Sequence, residues 1–306
     1  MKSEYDFRGG VRGKYAARYA EGRKPSQRLL AAYQDKALVV IPARYGSTRF
    51  EGKPLAKIAG VPMIVHVMNR AAKIRNADAV IVATDDERIK GVVEEAGGVA
   101  VMTKRTHPTG SSRVCEAAGY FLHGIVVNVQ GDEPLLPVRA VENLIASMQA
   151  DPLLAMGTLA SPASDFDDLF RADVVKVVTN VEGDALYFSR SPIPYPMFAA
   201  GAEPAAGRAK SRKAPQGLSY LRHIGVYAFR REFLFGYNEL RRGPLERHER
   251  LEQLRALENG YRIGVVTCRS ASIGVDRPED VTRIQKILRG KPASRRKKVE
   301  KGKRTR

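Results

Sequence analysis

The chain has 306 residues, of which 52 are Lys or Arg and 33 are Asp or Glu, so that its formal net charge is +19. Hydrophobic residues make up 43% of the chain and charged residues 28%, a balance that is typical of a soluble globular protein and excludes a wholly disordered one. No apolar run approaches the roughly 20 residues that cross a bilayer, so we expect no membrane span.

Residues 1–36 form a basic extension with a net charge of +5 and no apolar segment of the kind found in secretory signals. We expect this extension to be flexible and the chain to be cytoplasmic. The ordered body is predicted to begin at Ala37, because residues 37–41 form a continuous apolar, β-branched run typical of a buried parallel strand.

The loop 44–54 follows this strand and contains Arg44, Arg49 and Lys53 together with two glycines. Glycines let a backbone approach a ligand closely, and free backbone N–H groups combined with cations suit a polyphosphate. The loop matches neither the Walker pattern nor the dinucleotide fingerprint. Its chemistry favours phosphate binding over the alternative, a solvated basic loop.

Strands and helices then alternate along the chain. A helix is predicted over 61–72, a strand over 79–83, a helix that Asp85 and Asp86 open by capping, and strands over 99–102 and 125–129. This alternation predicts a parallel sheet with crossover helices, and such sheets bind ligands beyond the carboxyl ends of their strands.

Asp132 lies at such a strand end, within the segment 128–134. A carboxylate at this position is suited to hold Mg²⁺, which takes oxygen ligands. Capping of a turn or of the following helix is the alternative. Asp276 presents a similar choice, because an Asp shortly before Pro278 is typical of a helix N-terminus unless it faces Asp132 across the sheet.

Beyond Leu154 the pattern becomes more antiparallel, with few helices between strands and an Ala/Gly/Pro-rich insertion at 198–216. Strands are predicted over 154–160, 174–179, 185–189, 224–229 and 263–268, and helices over 246–258 and 278–288. Residues 289–306 form a basic tail with a net charge of +9, predicted to be disordered. Cys115 and Cys268 lie far apart and indicate neither a disulfide framework nor a metal cluster.

These motifs, in this order, resemble those of the 3-deoxy-manno-octulosonate (Kdo) cytidylyltransferase, or CMP-Kdo synthetase, family. The resemblance is carried by residues 41–45 with 52–55, 128–134, 186–190, 221–227, 251–255 and 274–276. It implies an α/β, Rossmann-like nucleotidyltransferase fold over residues 37–288, with a mostly parallel sheet and a smaller β-rich dimerisation portion. It also implies Mg²⁺-dependent transfer of CMP from CTP to Kdo for lipopolysaccharide biosynthesis by a homodimer.

The resemblance further implies roles for individual residues. Arg44, Lys53, Asp132 and Asp276 would be catalytic, and the two aspartates would hold Mg²⁺. The nucleotide would be bound by Arg44, Ser47, Arg49, Lys53 and Gln130. The sugar would be bound by Gln130, Arg222, His223, Tyr227, Glu252 and Gln253. His223 is expected to be a hydrogen-bonding sugar ligand rather than a base.

Two residues depart from the family pattern. Ser112 stands where the family usually has an acid, and Glu51 stands where it usually has Pro. Two alternatives therefore stay open. One is a cytidylyltransferase for another acidic sugar, such as an amino-Kdo or a sialic-acid-like acceptor. The other is a non-catalytic protein that binds nucleic acid through its basic tails. Independently of the function, the basic tails are suited to weak, nonspecific binding of anions.

Overall fold

The computed structural model describes residues 27–46, 50–195, 219–269, 274–275 and 277–290. Ser47, Arg49, Asp276, the insertion 198–216, nearly all of the tail 289–306 and most of the extension 1–36 lie outside these residues. None of the helices in the described segments is both long and apolar enough to cross a membrane.

The eleven strands of the described segments are β1 (Ala37–Ala43), β2 (Lys57–Ile58), β3 (Val61–Pro62), β4 (Ala79–Thr84), β5 (Ala100–Met102), β6 (Ile125–Asn128), β7 (Met156–Ala163), β8 (Lys176–Thr179), β9 (Ala185–Ser189), β10 (Tyr220–Arg230) and β11 (Ile263–Thr267). The helices are α1 (Gln27–Tyr33), α2 (Met63–Ala71), α3 (Glu87–Glu95), α4 (Gly110–Ala118), α5 (Val138–Ala150), α6 (Phe166–Phe170), α7 (Arg231–Tyr237), α8 (Pro244–Glu249), α9 (Leu254–Glu258) and α10 (Pro278–Arg289), with a 3-10 helix at Lys53–Leu55.

Nine strands form one mixed sheet in the order β11-β7-β10-β6-β1-β4-β5, with β8 paired to β10 and to β9. The strands β1, β4, β5 and β6 are parallel to their neighbours within this group, and helices cross over between them. The predicted α/β fold is therefore confirmed. The carboxyl ends of β1 and β6, which are adjacent, meet at one edge of the sheet.

Alternation along the strands builds two apolar cores, one on each side of the sheet. Val39 and Ile41 of β1 face the core beneath α2 and α5, whereas Leu38 and Val40 face the core that contains α4. All four side chains are fully buried. Such a two-sided core explains why β1 reads as an unbroken apolar run rather than an alternating one.

The antiparallel portion centres on β10, which pairs with β6, β7 and β8 in opposite directions. Its pairing with β7 shifts between Ile224 and Tyr227. β9 pairs with β8 alone among the described strands. The more antiparallel second half expected beyond Leu154 is thus confirmed, although β11 returns parallel to β7.

The predicted helix over 246–258 is wrong, since α8 and α9 occupy this region with a break at Arg250. The carbonyl of Glu249 accepts a hydrogen bond from Arg190 Nε at 2.7 Å, and Arg250 adopts a left-handed conformation with φ 54°. In a continuous helix that carbonyl would accept from the Gln253 amide. A contact from Arg190, which directly follows β9 and is distant in sequence, therefore ends the helix.

Two further boundaries differ from the prediction. The helix expected over 61–72 begins only at Met63, because Val61 and Pro62 pair with residues 57–58 in a short hairpin. Ordered structure also precedes Ala37, because α1 lies within the extension and the carbonyl of Tyr33 accepts a hydrogen bond from the Gly124 amide at 2.8 Å.

Candidate active site

A cavity opens at the sheet edge where β1 and β6 end. Parallel strands bring the residues that follow each of them to the same edge, so loops far apart in sequence share one wall. The cavity is lined by Pro42, Ala43 and Arg44 at the end of β1, by Lys53 and Pro54, by residues 107–110 with Arg113, and by Gln130, Gly131 and Asp132 after β6.

Lys53 connects three segments of this cavity. Its Nζ donates to Asp132 Oδ2 at 2.5 Å and to the carbonyl of Val275 at 2.7 Å. The two charged side chains are 16% and 28% exposed, so solvent screens their interaction only in part. Local sequence positions the ammonium, because Gly52 turns the chain with φ 66° and Pro54 lies in the first turn of the 3-10 helix.

The segment that precedes Asp276 lies directly on the Asp132 loop. The amide of Val275 donates to the carbonyl of Asp132 at 2.9 Å. A Cβ atom at Gly274 would lie 3.8 Å from the same carbonyl oxygen. Asp276 itself is outside the described residues, so its distance to Asp132 stays a prediction.

The capping alternatives for the two aspartates can be examined at the helices concerned. The N-cap of α5, the helix after Asp132, is Pro137. The N-cap of α10 is Arg277, whose amide donates to Asp280 Oδ2 at 2.9 Å. Neither aspartate therefore holds the N-cap position of the helix that follows it.

Arg44 and Gln130 line the cavity near this junction. Arg44 is exposed, whereas Gln130 is half-buried and its Nε2 donates to Asn128 Oδ1 at 3.3 Å. The start of the loop is fixed by Tyr45, because the guanidinium of Arg88 lies 3.5 Å from the centre of the Tyr45 ring. Arg88 is itself held by Asp86, with the closer contact at 2.7 Å.

His223, Tyr227 and Gln253 form a second group. The Tyr227 hydroxyl donates to Gln253 Oε1 at 3.1 Å, and the His223 and Tyr227 ring centres are 5.5 Å apart. Burial lowers the pKa of His223 to about 3 and raises the pKa of Tyr227. A neutral His223, 3.0 Å from Thr158 Oγ1, is suited to hydrogen bonding and is a weak base.

Glu252 joins this second group to the cavity wall. Its carboxylate accepts hydrogen bonds from Thr109 Oγ1 at 3.2 Å and from Ser111 Oγ at 3.1 Å. Burial raises its pKa, although both hydroxyl contacts act in the opposite direction. Thr109 lines the cavity, and Glu252 directly precedes Gln253 in the chain. Glu252 therefore connects the cavity to the group of His223, Tyr227 and Gln253.

Arg222 is placed apart from these residues. Successive side chains of a strand point to opposite faces, and Arg222 lies 3.6 Å from Asp168 Oδ2 in an ion pair. His223, its neighbour in β10, instead contacts Phe188 and Tyr227. Arg222 and His223 thus extend from opposite faces of β10, and the sugar-binding role of Arg222 stays a prediction.

The two departures from the family pattern have simple structural settings. Ser112 and Thr109 form a capping box at the start of α4, in which each side chain accepts a hydrogen bond from the other's amide. The serine hydroxyl thereby keeps the capping part of an acid's role. Glu51 is exposed.

Three polar side chains that line the cavity were not predicted as site residues: His107, Thr109 and Arg113. The nearly buried guanidinium of Arg113 donates to Asp85 Oδ2 at 2.7 Å and to Thr103 Oγ1 at 2.5 Å. These residues could have been predicted, because ligands bind beyond the carboxyl ends of parallel strands and residues 103–113 follow β5, another parallel strand of the same edge.

Comparisons with known proteins agree with this geometry. The cytidylyltransferase family profile matches residues 38–263. A 3-deoxy-manno-octulosonate cytidylyltransferase of Syntrophotalea carbinolica is 47% identical over 82% of this chain and 98% of its own, and one of Anaeromyxobacter dehalogenans is 48% identical over 82% and 96%.

Two solved structures are similar in fold. A CMP:2-keto-3-deoxy-manno-octonic acid synthetase complexed with CTP superposes with a TM-score of 0.75 and 40% identity, covering 83% of this chain and 98% of that one. A cytidylyltransferase of Leptospira borgpetersenii shares only the fold, at 14% identity over 83% of this chain and 87% of its own, with a TM-score of 0.53.

The sheet, the cavity at its edge and these matches define the protein as a nucleotidyltransferase. Several relatives, each aligned over nearly its whole length, are identical to it at close to half of the aligned positions. The chain belongs to the 3-deoxy-manno-octulosonate cytidylyltransferase family.

Proposed function

We propose that the protein transfers CMP from CTP to the anomeric hydroxyl of 3-deoxy-manno-octulosonate. The hydroxyl oxygen bonds to the α-phosphorus, the bond from that phosphorus to the bridging oxygen breaks, and pyrophosphate leaves with the electron pair. The hydroxyl proton is released to solvent. The observation that carries this proposal is the Lys53–Asp132–Val275 junction in a cavity continuous with Glu252 and Gln253.

The cations of the cavity are the groups that would bind the triphosphate. Lys53 reaches the cavity from the 3-10 helix and Arg44 from the end of β1. A polyphosphate entering the cavity competes with Asp132 for the Lys53 ammonium. Positioning and charge neutralisation of this kind supply most of the catalysis that phosphoryl transfer requires.

The chemistry around Asp132 fits Mg²⁺. The carboxylate is partly exposed in a cavity suited to phosphates, and Mg²⁺ is usually held by one or two carboxylates together with substrate oxygens and water. Within the described residues no group of three or more His, Cys, Asp or Glu side chains forms a complete metal cage. Asp132 and Asp276 would hold the ion, which when bound would neutralise charge at the α-phosphate and lower the pKa of the hydroxyl.

The second group of polar residues would bind the acidic sugar. Tyr227 and Gln253 are joined by a hydrogen bond, and the neutral His223 lies beside them. Gln130 would bridge from the nucleotide side. The product is an activated sugar nucleotide, and we assign it to lipopolysaccharide biosynthesis.

We also propose a homodimer formed by the β-rich portion. β9 has an unpaired edge within the described sheet, and its Leu186 is 61% exposed. An exposed edge strand with apolar side chains is suited to association with a second copy. Light scattering coupled to size exclusion measures the oligomeric state directly.

The reaction is tested by pyrophosphate release from CTP and Kdo. We expect Asp132→Asn to lower kcat/KM by at least about 100-fold, because it removes the charge that the proposed Mg²⁺ site requires. The matched control is Asp167→Asn in α6, an exposed aspartate outside the cavity, for which we expect activity within about twofold of the wild type.

Two results would change this conclusion. Wild-type release no higher than that of Asp132→Asn would contradict the enzymatic proposal and favour the nucleic-acid-binding alternative. A comparison of Kdo with amino-substituted and sialic-acid-like acceptors, at saturating CTP, tests the sugar separately. If one of these acceptors gave a higher kcat/KM than Kdo, that acceptor would be the preferred substrate and the reaction class would be unchanged.

A further inference from the structure

The cavity has a wall that carries neither Lys53 nor Arg44. It is formed by residues 107–110, between β5 and α4. Arg113 also lines the cavity, but its guanidinium is paired with Asp85. Since the triphosphate is drawn to Lys53 and Arg44 and to the Asp132 side, the nucleoside half of CTP is left to contact this wall. The polar groups of residues 107–110 are therefore placed to read the base or the ribose.

His107 is the titratable residue of that wall, and its orientation is fixed from behind. Its Nε2 contacts Oε2 of Glu116 on α4, and the same carboxylate oxygen accepts a hydrogen bond from the Lys104 amide at 3.0 Å. The His107 side chain is 15% exposed. Glu116 thus ties the loop that carries His107 to the helix that follows it.

The contact with Glu116 decides which hydrogen-bonding group the ring offers to a ligand. Although burial alone would raise the pKa of Glu116, hydrogen bonds from His107 and Lys104 outweigh it and the pKa is lowered, so the group is a carboxylate at neutral pH. A carboxylate only accepts, so Nε2 carries a proton, and when the ring carries that single proton Nδ1 is an acceptor. No described residue other than Glu116 is a hydrogen-bond partner of the ring.

We propose that His107, positioned by Glu116, selects CTP by accepting a hydrogen bond at Nδ1 from the 4-amino group of cytosine. This inference rests on the proposed use of CTP as nucleotide donor. Uracil has a carbonyl oxygen in place of that amino group, so in UTP two acceptors would face each other and one buried polar group would stay unpaired.

The test measures nucleotide binding by calorimetry in the absence of sugar, with CTP, UTP and dCTP. For the wild type we expect CTP to bind about 10- to 100-fold more tightly than UTP. His107→Ala should bring this ratio close to one, and Glu116→Gln should lower it while the fold is kept. A loss of packing alone would weaken both nucleotides equally and leave the ratio unchanged.

The control variant is His248→Ala, which removes an exposed histidine whose ring, among the described residues, forms a hydrogen bond only with the carbonyl of Pro244. We expect its CTP-to-UTP ratio to equal that of the wild type. An unchanged ratio in His107→Ala would overturn the proposal. So would a change confined to the CTP-to-dCTP ratio, which would place the ring against the ribose. Selective CTP binding without pyrophosphate release from CTP in the presence of Kdo would contradict the proposed reaction but not this inference.

Discussion

Lys53 is the residue at which the β1 loop, the β6 loop and the segment before Asp276 meet. Its ammonium donates both to a carboxylate and to a backbone carbonyl. Because this pair is partly exposed, its contribution to the free energy of unfolding is small, about 0–1 kcal/mol. Its position in the cavity fits the proposed role of Lys53 in binding the polyphosphate.

We therefore expect Lys53→Met to affect catalysis far more than stability. The KM for CTP should rise and kcat should fall, with a combined loss of about 100-fold or more in kcat/KM, while the free energy of unfolding changes by about 1 kcal/mol at most. The control Lys57→Met removes an exposed lysine in β2, outside the cavity. Steady-state kinetics and urea unfolding measure the two effects. A large loss of stability in Lys53→Met with unchanged KM would show a structural role instead.

At the scale of the element, the connection between α8 and α9 shows what a helical pattern leaves out. At the end of β9, Arg190 donates to the backbone carbonyl of Glu249 and Ser189 donates to its carboxylate. These bonds end α8, and Arg250 follows with φ 54°. An arginine in this left-handed region costs about 1–2 kcal/mol, a cost that glycine avoids.

The same substitution should therefore have opposite effects at two neighbouring positions. Arg250→Gly relieves the left-handed strain, and we expect a gain of about 0.5–1 kcal/mol in the free energy of unfolding. Arg247→Gly lies in α8, where glycine costs about 1 kcal/mol relative to a good helix former. Chemical denaturation of both variants measures the difference. Destabilisation of equal size in both would contradict the left-handed conformation of Arg250.

The sequence predicts the strands and the cationic and acidic sides of the cavity because these depend on local patterns. Buried parallel strands are continuous apolar runs, and polar residues at the ends of β1 and β6 must share an edge. The break at Arg250 was not predictable, since it depends on Arg190. Arg222 and His223 extend from opposite faces because side chains alternate along β10. The predicted strand begins at residue 224 and contains neither residue, so it could not show this.

At the scale of the whole molecule, the net charge of +19 is misleading about function. Three segments supply most of it: residues 1–36, 198–216 and 289–306, of which only 27–36 and 289–290 are described. The remaining chain has a net charge of only +2. Its chemistry therefore depends on where individual cations lie, as at Lys53 and Arg44, and not on the overall field.

The free energy of unfolding should depend on pH through two histidines, the buried His123 and the partly buried His223. Burial lowers the pKa of His123 to about 4 and that of His223 to about 3. His123 Nδ1 is buried without a hydrogen-bond partner among the described residues, and the charged groups that act on it are Asp78, Arg231 and Lys36. In the unfolded chain both histidines would titrate near 6.5.

Because both folded-state pKa values lie below 6.5, the unfolded chain binds protons first as the pH falls. We expect the stability to be fully present above pH 6.5 and to decrease from there toward pH 4, by up to about 1.4 kcal/mol per pH unit for each histidine. His123→Phe replaces the ring next to Tyr33 and Phe121 with one that does not titrate, and should reduce this slope. His248→Phe, at an exposed position, should leave it unchanged. Unfolding free energies between pH 4.5 and 7.5 give the slopes, and parallel curves for the wild type and His123→Phe would show that the buried ring does not couple to folding.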